Sequence, residues 1–129
     1  GSAQVKKLPT LVAERRRNGA LWTEAMKDHP DLRIQAETGN SSWFGFSLVI
    51  RETSGLARPH LVKTLRELGF ECRPIVTGNF AKNPVVAYFD HEIHGSLDHA
   101  NRIDTHGLFI GNHHYPIPQA IETVASLRF

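Results

Sequence analysis

Apolar positions in the first part of the chain return in a helical rhythm. Leu8, Leu11, Val12, Leu21, Trp22, Ala25 and Met26 recur at three- and four-residue steps between Gln4 and about His29, which predicts one long amphipathic helix. Pro9 stands near its start, where a missing N–H matters least. His29-Pro30 closes it, because the residue before a proline avoids helical backbone. A first element this long with no strand before it suits a helix that continues from another domain. The period then shortens to two. Arg33 to Ala36 fits a short strand and Gly39 to Ser42 a turn. Trp43 to Arg51 fits a stronger strand, in which Phe44, Phe46, Leu48 and Ile50 form one apolar face directed at the core.

Arg58 to Leu68 returns to the helical period, with Pro59 at the entry, Leu61, Val62 and Leu65 inward and Gly69 as the stop. Phe70 to Val76 reads as a second strand, and strand–helix–strand order implies a right-handed crossover if the two strands lie parallel in one sheet. From Thr77 to Gly95 the periodicity fades into a long functional loop with a short apolar anchor, Val85 to Phe89. Ser96 can cap a helix carrying Leu97, Ala100 and Ile103 that ends near Gly107. Leu108 to Ile110 is a short strand, and Pro116 or Pro118 opens a last helix through Ile121, Val124, Ala125 and Leu127. The sum is an α+β domain, a small mixed sheet covered by helices.

Length and charge narrow the classes. A chain of 129 residues is one domain by default and long enough to hold a core without staples. Fifteen basic against thirteen acidic residues leave a net charge of +2, too balanced to argue for nucleic acid. Arg15, Arg16 and Arg17 would fan around a helix, so they read as a solvated or partner-facing surface. A single cysteine, Cys72, cannot close an internal bridge and reads as a small buried residue. No apolar run reaches the roughly 18 residues of a membrane span, so a cytoplasmic chain with no membrane partner is expected. Gly1 and Ser2 look like a cloning remnant, with the native chain extending upstream.

Three places carry candidate chemistry. His91, His94, His99, His106, His113 and His114 crowd the last third beside Asp90 and Glu92, and His91 and His94 would share a helical face as metal ligands do. Without HExxH or CxxC, however, they read as surface or hydrogen-bonding histidines, and no metal is expected. The second place is Cys72 to Phe80, where a strand delivers Arg73 into a loop with Thr77, Gly78 and Asn79. A guanidinium fork and a polar loop suit an anion such as phosphate, and a salt-bridged arginine beside a turn is the plainer alternative. The third is Gly107 to Tyr115, where a strand carries Asn112, His113 and His114 into a turn. Phosphate-loop, dinucleotide and nucleophile-elbow motifs are missing, and so is a complete catalytic constellation.

The segments RRRNGALW, SSWFGFSLVI, LVKTLRELGFECRPIVTGNFAKNPV and HGLFIGNHHY resemble, in the same order, the C-terminal region of DegT-family sugar aminotransferases. The resemblance runs from about Leu11 to Phe129 and is greatest to the branch of nucleotide-hexulose 3-dehydrases. It implies the C-terminal small domain, residues 3–129, of a dimeric enzyme whose larger domain holds pyridoxal or pyridoxamine phosphate and which acts on a nucleotide-linked keto-deoxysugar. By itself the chain is then expected to catalyse nothing and to bind no cofactor. None of Lys6, Lys7, Lys27, Lys63 and Lys82 falls in the Schiff-base motif, which lies outside this chain. The family's strand-end arginine falls on Arg73 and the loop after it on Thr77, Gly78 and Asn79, as the rim of the substrate site. Asn112, His113 and His114 are secondary candidates. Many aminotransferases of the family carry a tyrosine and a histidine after that arginine. IVTGNF stands here instead, which favours 3-dehydration over transamination. Two rivals of other classes remain: a stand-alone module binding a nucleotide sugar or a protein, and a histidine-rich metal-binding domain.

Overall fold

The computed structural model describes residues 2–129, so Gly1 of the expected cloning remnant lies outside the described residues. The N-terminal apolar stripe forms two helices, α1 (Ser2–Val5) and α2 (Leu8–Met26), where one from Gln4 to His29 was expected. Pro9 explains the break, since it cannot donate to the carbonyl of Val5 and its ring crowds the preceding turn. After α2 come β1 (Leu32–Ile34), β2 (Gly45–Ile50), α3 (Arg58–Glu67) and β3 (Cys72–Arg73). Two short 3-10 turns follow at Phe80–Lys82 and Pro84–Tyr88, then α4 (Asp98–His106), β4 (Gly107–Gly111) and α5 (Pro118–Ser126).

The four strands form one sheet in the order β1-β2-β4-β3. Every pairing is antiparallel, which corrects the mixed sheet expected from the sequence. The crossover premise survives in altered form: β2 and β3 both run against β4, hence parallel to each other, with β4 between them. Only Cys72 and Arg73 of the expected Phe70–Val76 strand join the sheet, opposite Ile110 and Phe109. Local signals were read correctly at α3, where Pro59 opens the helix and Gly69 takes φ +89°. The Gly69 N–H donates to the Arg66 carbonyl and the Phe70 N–H to the Leu65 carbonyl, the paired closure of a Schellman motif. Ser96 stands outside α4 instead of at its N-cap, which is Leu97.

One face of the sheet carries the core. Phe46, Leu48 and Ile50 of β2, Leu108 and Ile110 of β4 and Leu32 of β1 are buried with Trp22 and Met26 of α2, Leu61 and Leu65 of α3, and Ile121 and Val124 of α5. The Trp22 and Phe46 rings stack at 4.5 Å. Alternation breaks at the entry to β2. Trp43, expected on the outer face, is buried, and Phe44, expected inside, is 71% exposed. The cause is a left-handed residue, Trp43 at φ 51°, a conformation that costs an indole-bearing residue about 1–3 kcal/mol. Packing offsets that strain: the indole lies on Phe46 and fills the space above Gly19, where a Cβ would come within 2.6 Å of the ring.

Two buried amides hold this corner. Asn18 Nδ2 lies within hydrogen-bond distance of Asn112 Oδ1 (3.1 Å) and of the carbonyls of His113 and Tyr115. Asn112 Nδ2 donates to the carbonyls of Arg15 (3.0 Å) and Trp43 (2.8 Å), and its Oδ1 also accepts the His113 N–H. Both donor hydrogens and both acceptor lone pairs of Asn112 are thereby used.

Nearby, the buried His29 ring accepts the backbone N–H groups of Asp31 and Leu32 at Nδ1, both at 3.2 Å. Burial, aided by the charge of Arg128, holds its pKa below the usual 6.5. Below about 6.5 the unfolded chain therefore takes up a proton that the folded chain refuses, and stability falls with pH until the native pKa is passed.

Two outcomes follow from these sites. Asn112→Asp keeps the shape but loses both donated bonds, and denaturant titration should show a loss of about 2–4 kcal/mol, since each buried group left unpaired costs about 1–3. His29→Gln should flatten the dependence of stability on pH between about 7 and 5. An unchanged slope would remove His29 as its source.

Candidate functional site

The inverted Trp43-Phe44 pair creates a groove on the sheet face opposite the core. Phe44 lies over Phe109 with ring centroids 5.8 Å apart, and the Arg15 guanidinium stands 5.7 Å from the Phe44 centroid. Gly45 permits this approach, because a Cβ there would collide with the Phe109 ring. The groove encloses about 380 Å³ and is lined by Arg15, Phe44, Glu71, Arg73, Phe109, Asn112 and His113, among others.

Three expected site residues thus meet at one place. Arg73 leaves β3 exposed and is held by Glu71, whose Oε1 accepts from Nε at 2.9 Å and from an Nη at 2.7 Å. Such an exposed pair adds little stability but fixes where the guanidinium points. Asn112 reaches the groove wall with its polar atoms already spent on the scaffold. His113 stacks on Tyr115 at 4.7 Å, and His114 meets the same ring edge-on at 5.4 Å without lining the groove.

Thr77, Gly78 and Asn79 do not line the groove: Thr77 is exposed, and Gly78 and Asn79 lie against α4. The buried Asn79 side chain donates to Asn101 Oδ1 at 2.9 Å and caps the turn by accepting the Ala81 N–H. Its backbone N–H donates to Asp104. Asp104 also binds Lys82 at 3.0 Å, and these two partners, Lys82 first, lower its carboxyl pKa. Gly78 sits at φ +69° against that carboxylate, where no side chain fits. This loop segment is a clasp between the chain after β3 and α4.

Sequence reasoning missed Arg15, Phe44, Glu71 and Phe109. The run of three arginines was legible, but which of them faces the sheet depends on the angle at which α2 crosses it. Arg16 instead binds the carbonyls of Asn40 and Ser41, and Arg17 pairs with Glu14.

Other chemistry is poorly supported by these residues. His91 and His94 lie in an irregular stretch, and among the described residues no three His, Cys, Asp or Glu side chains gather as a metal site would require. Among the described residues no helix is long and apolar enough to cross a membrane. Cys72 is half-buried, and burial pushes its thiol pKa up, away from reactivity. Lys6, Lys7, Lys27, Lys63 and Lys82 are all exposed, and the last three pair with Glu24, Glu67 and Asp104. A Schiff-base lysine needs a desolvated site, so these residues do not fit the anchoring position for pyridoxal phosphate.

A GDP-4-keto-6-deoxy-D-mannose 3-dehydratase of Escherichia coli O55:H7 is 52% identical over 114 residues, 88% of this chain and 29% of the relative. One from Yersinia pseudotuberculosis is 48% identical over 128 residues, 98% of this chain and 33% of the relative. The solved E. coli enzyme with bound hydrated PLP superposes with a TM-score of 0.92 at 48% identity, over 95% of this chain and 32% of that one. The chain therefore spans about a third of the length of the relatives it matches. The pattern described as the DegT/DnrJ/EryC1/StrS aminotransferase family matches residues 1–127, and the chain belongs to that family.

Proposed function

We propose that the chain is the small domain of a longer enzyme that removes the 3-hydroxyl of a nucleotide-linked 4-keto-6-deoxyhexose, in the synthesis of deoxysugars or polysaccharide. In this reading the pyridoxal or pyridoxamine phosphate that supplies the electron sink is held by a larger domain outside this chain. The observation that carries the reading is the meeting of Arg73 and Arg15 with the Phe44–Phe109 pair in one open groove, in a chain about half identical to two 3-dehydratases. Dehydration is favoured over transamination because both relatives bear dehydratase names and IVTGNF stands after the arginine.

In this reading Arg73, pre-set by Glu71, meets the diphosphate of the nucleotide sugar. The aromatic pair and Arg15 exclude water beside it. A guanidinium presents parallel N–H donors that match the oxygens of a phosphate. His113 borders the groove as a secondary contact. Gly78 and Asn79 serve by anchoring the chain that leaves β3. In this reading the longer enzyme acts as a homodimer in the cytoplasm.

In the longer enzyme, Arg73→Ala should lower kcat/KM for the nucleotide sugar by roughly ten- to a hundredfold, the worth of a charged hydrogen bond of about 1.5–3 kcal/mol. Far-ultraviolet circular dichroism should be unchanged, because Arg73 touches only exposed Glu71. An unaltered kcat/KM would remove the groove as the substrate rim.

A further inference from the structure

The segment between β3 and α4 holds large apolar side chains in water. Val76 and Tyr88 are 88% and 87% exposed, and Phe80, Phe89 and Ile93 are more than half or about half exposed. Exposed aromatics elsewhere have partners: Phe44 lies on Phe109, Tyr115 between His113 and His114, and Phe129 against His60. Among the described residues Phe80, Tyr88 and Phe89 pair with no ring.

Collapse inward is prevented by the polar clasp. Asn79 is tied to Asn101 and Asp104, Lys82 to Asp104, and Asn83 Oδ1 accepts the Val85 N–H to start the second 3-10 turn. Val86 is the buried side chain of the second 3-10 turn. Val76 adds a second sign. It is a β-branched residue at φ 52°, a conformation costing about 1–3 kcal/mol, and its own side chain is almost wholly in solvent. A loop that fixes aromatic and branched side chains outward has the composition of an interface core and not of a solvated connection.

We infer that the surface formed by Val76, Phe80, Tyr88, Phe89 and Ile93 is where the larger domain of the enzyme docks. The inference rests on the reading that this chain is one part of a longer protein. What identifies the occupant is length: the matched relatives carry about two-thirds of their polypeptide outside the span of this chain, so a body larger than this one is available to cover the patch. The clasp ties that surface to α4, and α4 leads directly into β4, which bears Phe109 of the groove.

A photo-crosslinking phenylalanine analogue in place of Tyr88 in the full-length enzyme tests this. The expected product is a crosslink to a peptide outside residues 1–129. A crosslink to residues 1–129 of a second copy would overturn the inference by assigning the surface to self-association, and no crosslink would overturn it by showing the surface free. As a second measurement, Tyr88→Asp should lower the Tm of the full-length enzyme while Tyr88→Phe retains it. Equal Tm values for Tyr88→Asp and the unaltered enzyme would count against docking. An outside crosslink together with unchanged kcat/KM for Arg73→Ala would keep this surface and discard the substrate rim, and the reverse pattern would do the opposite.

Discussion

The buried contact between Asn18 and Asn112 is the constraint on which the corner of this fold depends. It joins residues 94 positions apart, the middle of α2 and the end of β4, and the same two side chains bond the backbone at Arg15, Trp43, His113 and Tyr115. An apolar contact at that place would tolerate sliding. A pair of carboxamides in which every donor and acceptor of Asn112 is used does not, because each misplaced bond leaves a polar group stranded in the interior. Helix α2, the entry to β2 and the turn into α5 are set relative to one another by this pair.

The left-handed backbone at Trp43 follows from that setting. Its carbonyl is taken by Asn112, its N–H donates to Ser41 Oγ, and its indole is clamped between Gly19 and Phe46. Together these offset a conformation the residue would otherwise avoid. Turning Trp43 inward turns Phe44 outward, and the exposed ring is what Arg15 and Phe109 gather around. The groove is thus a by-product of core packing on the other face of the sheet, and a change at Asn112 should disturb both.

The polar loop after β3 divides the labour differently from what its composition implied. Arg73 faces the groove from the edge strand. Gly78 and Asn79, a few residues on, serve the clasp to α4, with the Asp104 carboxyl pKa lowered by Lys82 and the Asn79 amide. Exposed apolar residues follow at once. The chain covers only about a third of its relatives' length, and it carries both an open groove on the sheet face opposite the core and a segment of exposed apolar side chains.

By itself the sequence determined what is local. Helical periodicity placed α3 and α5, proline and glycine marked their ends, and alternation located β2 and β4, because hydrophobic period and backbone freedom act over a few residues. The motifs were specific enough to point to the family, and Arg73 was marked by its place at a strand end. Only the tertiary structure decided what is non-local. The antiparallel order β1-β2-β4-β3 brings a late strand between two earlier ones, and no local signal encodes that. The inversion at Trp43 depends on Gly19 and Asn112, far away in the chain. Asn79 and Asn112 are polar residues in promising loops whichever role they take, and burial alone turned them into scaffold. Arg15 and Phe44 became groove residues through the crossing of α2 over the sheet, a geometry fixed by the packing of Trp22 on Phe46 and by the Asn18–Asn112 contact.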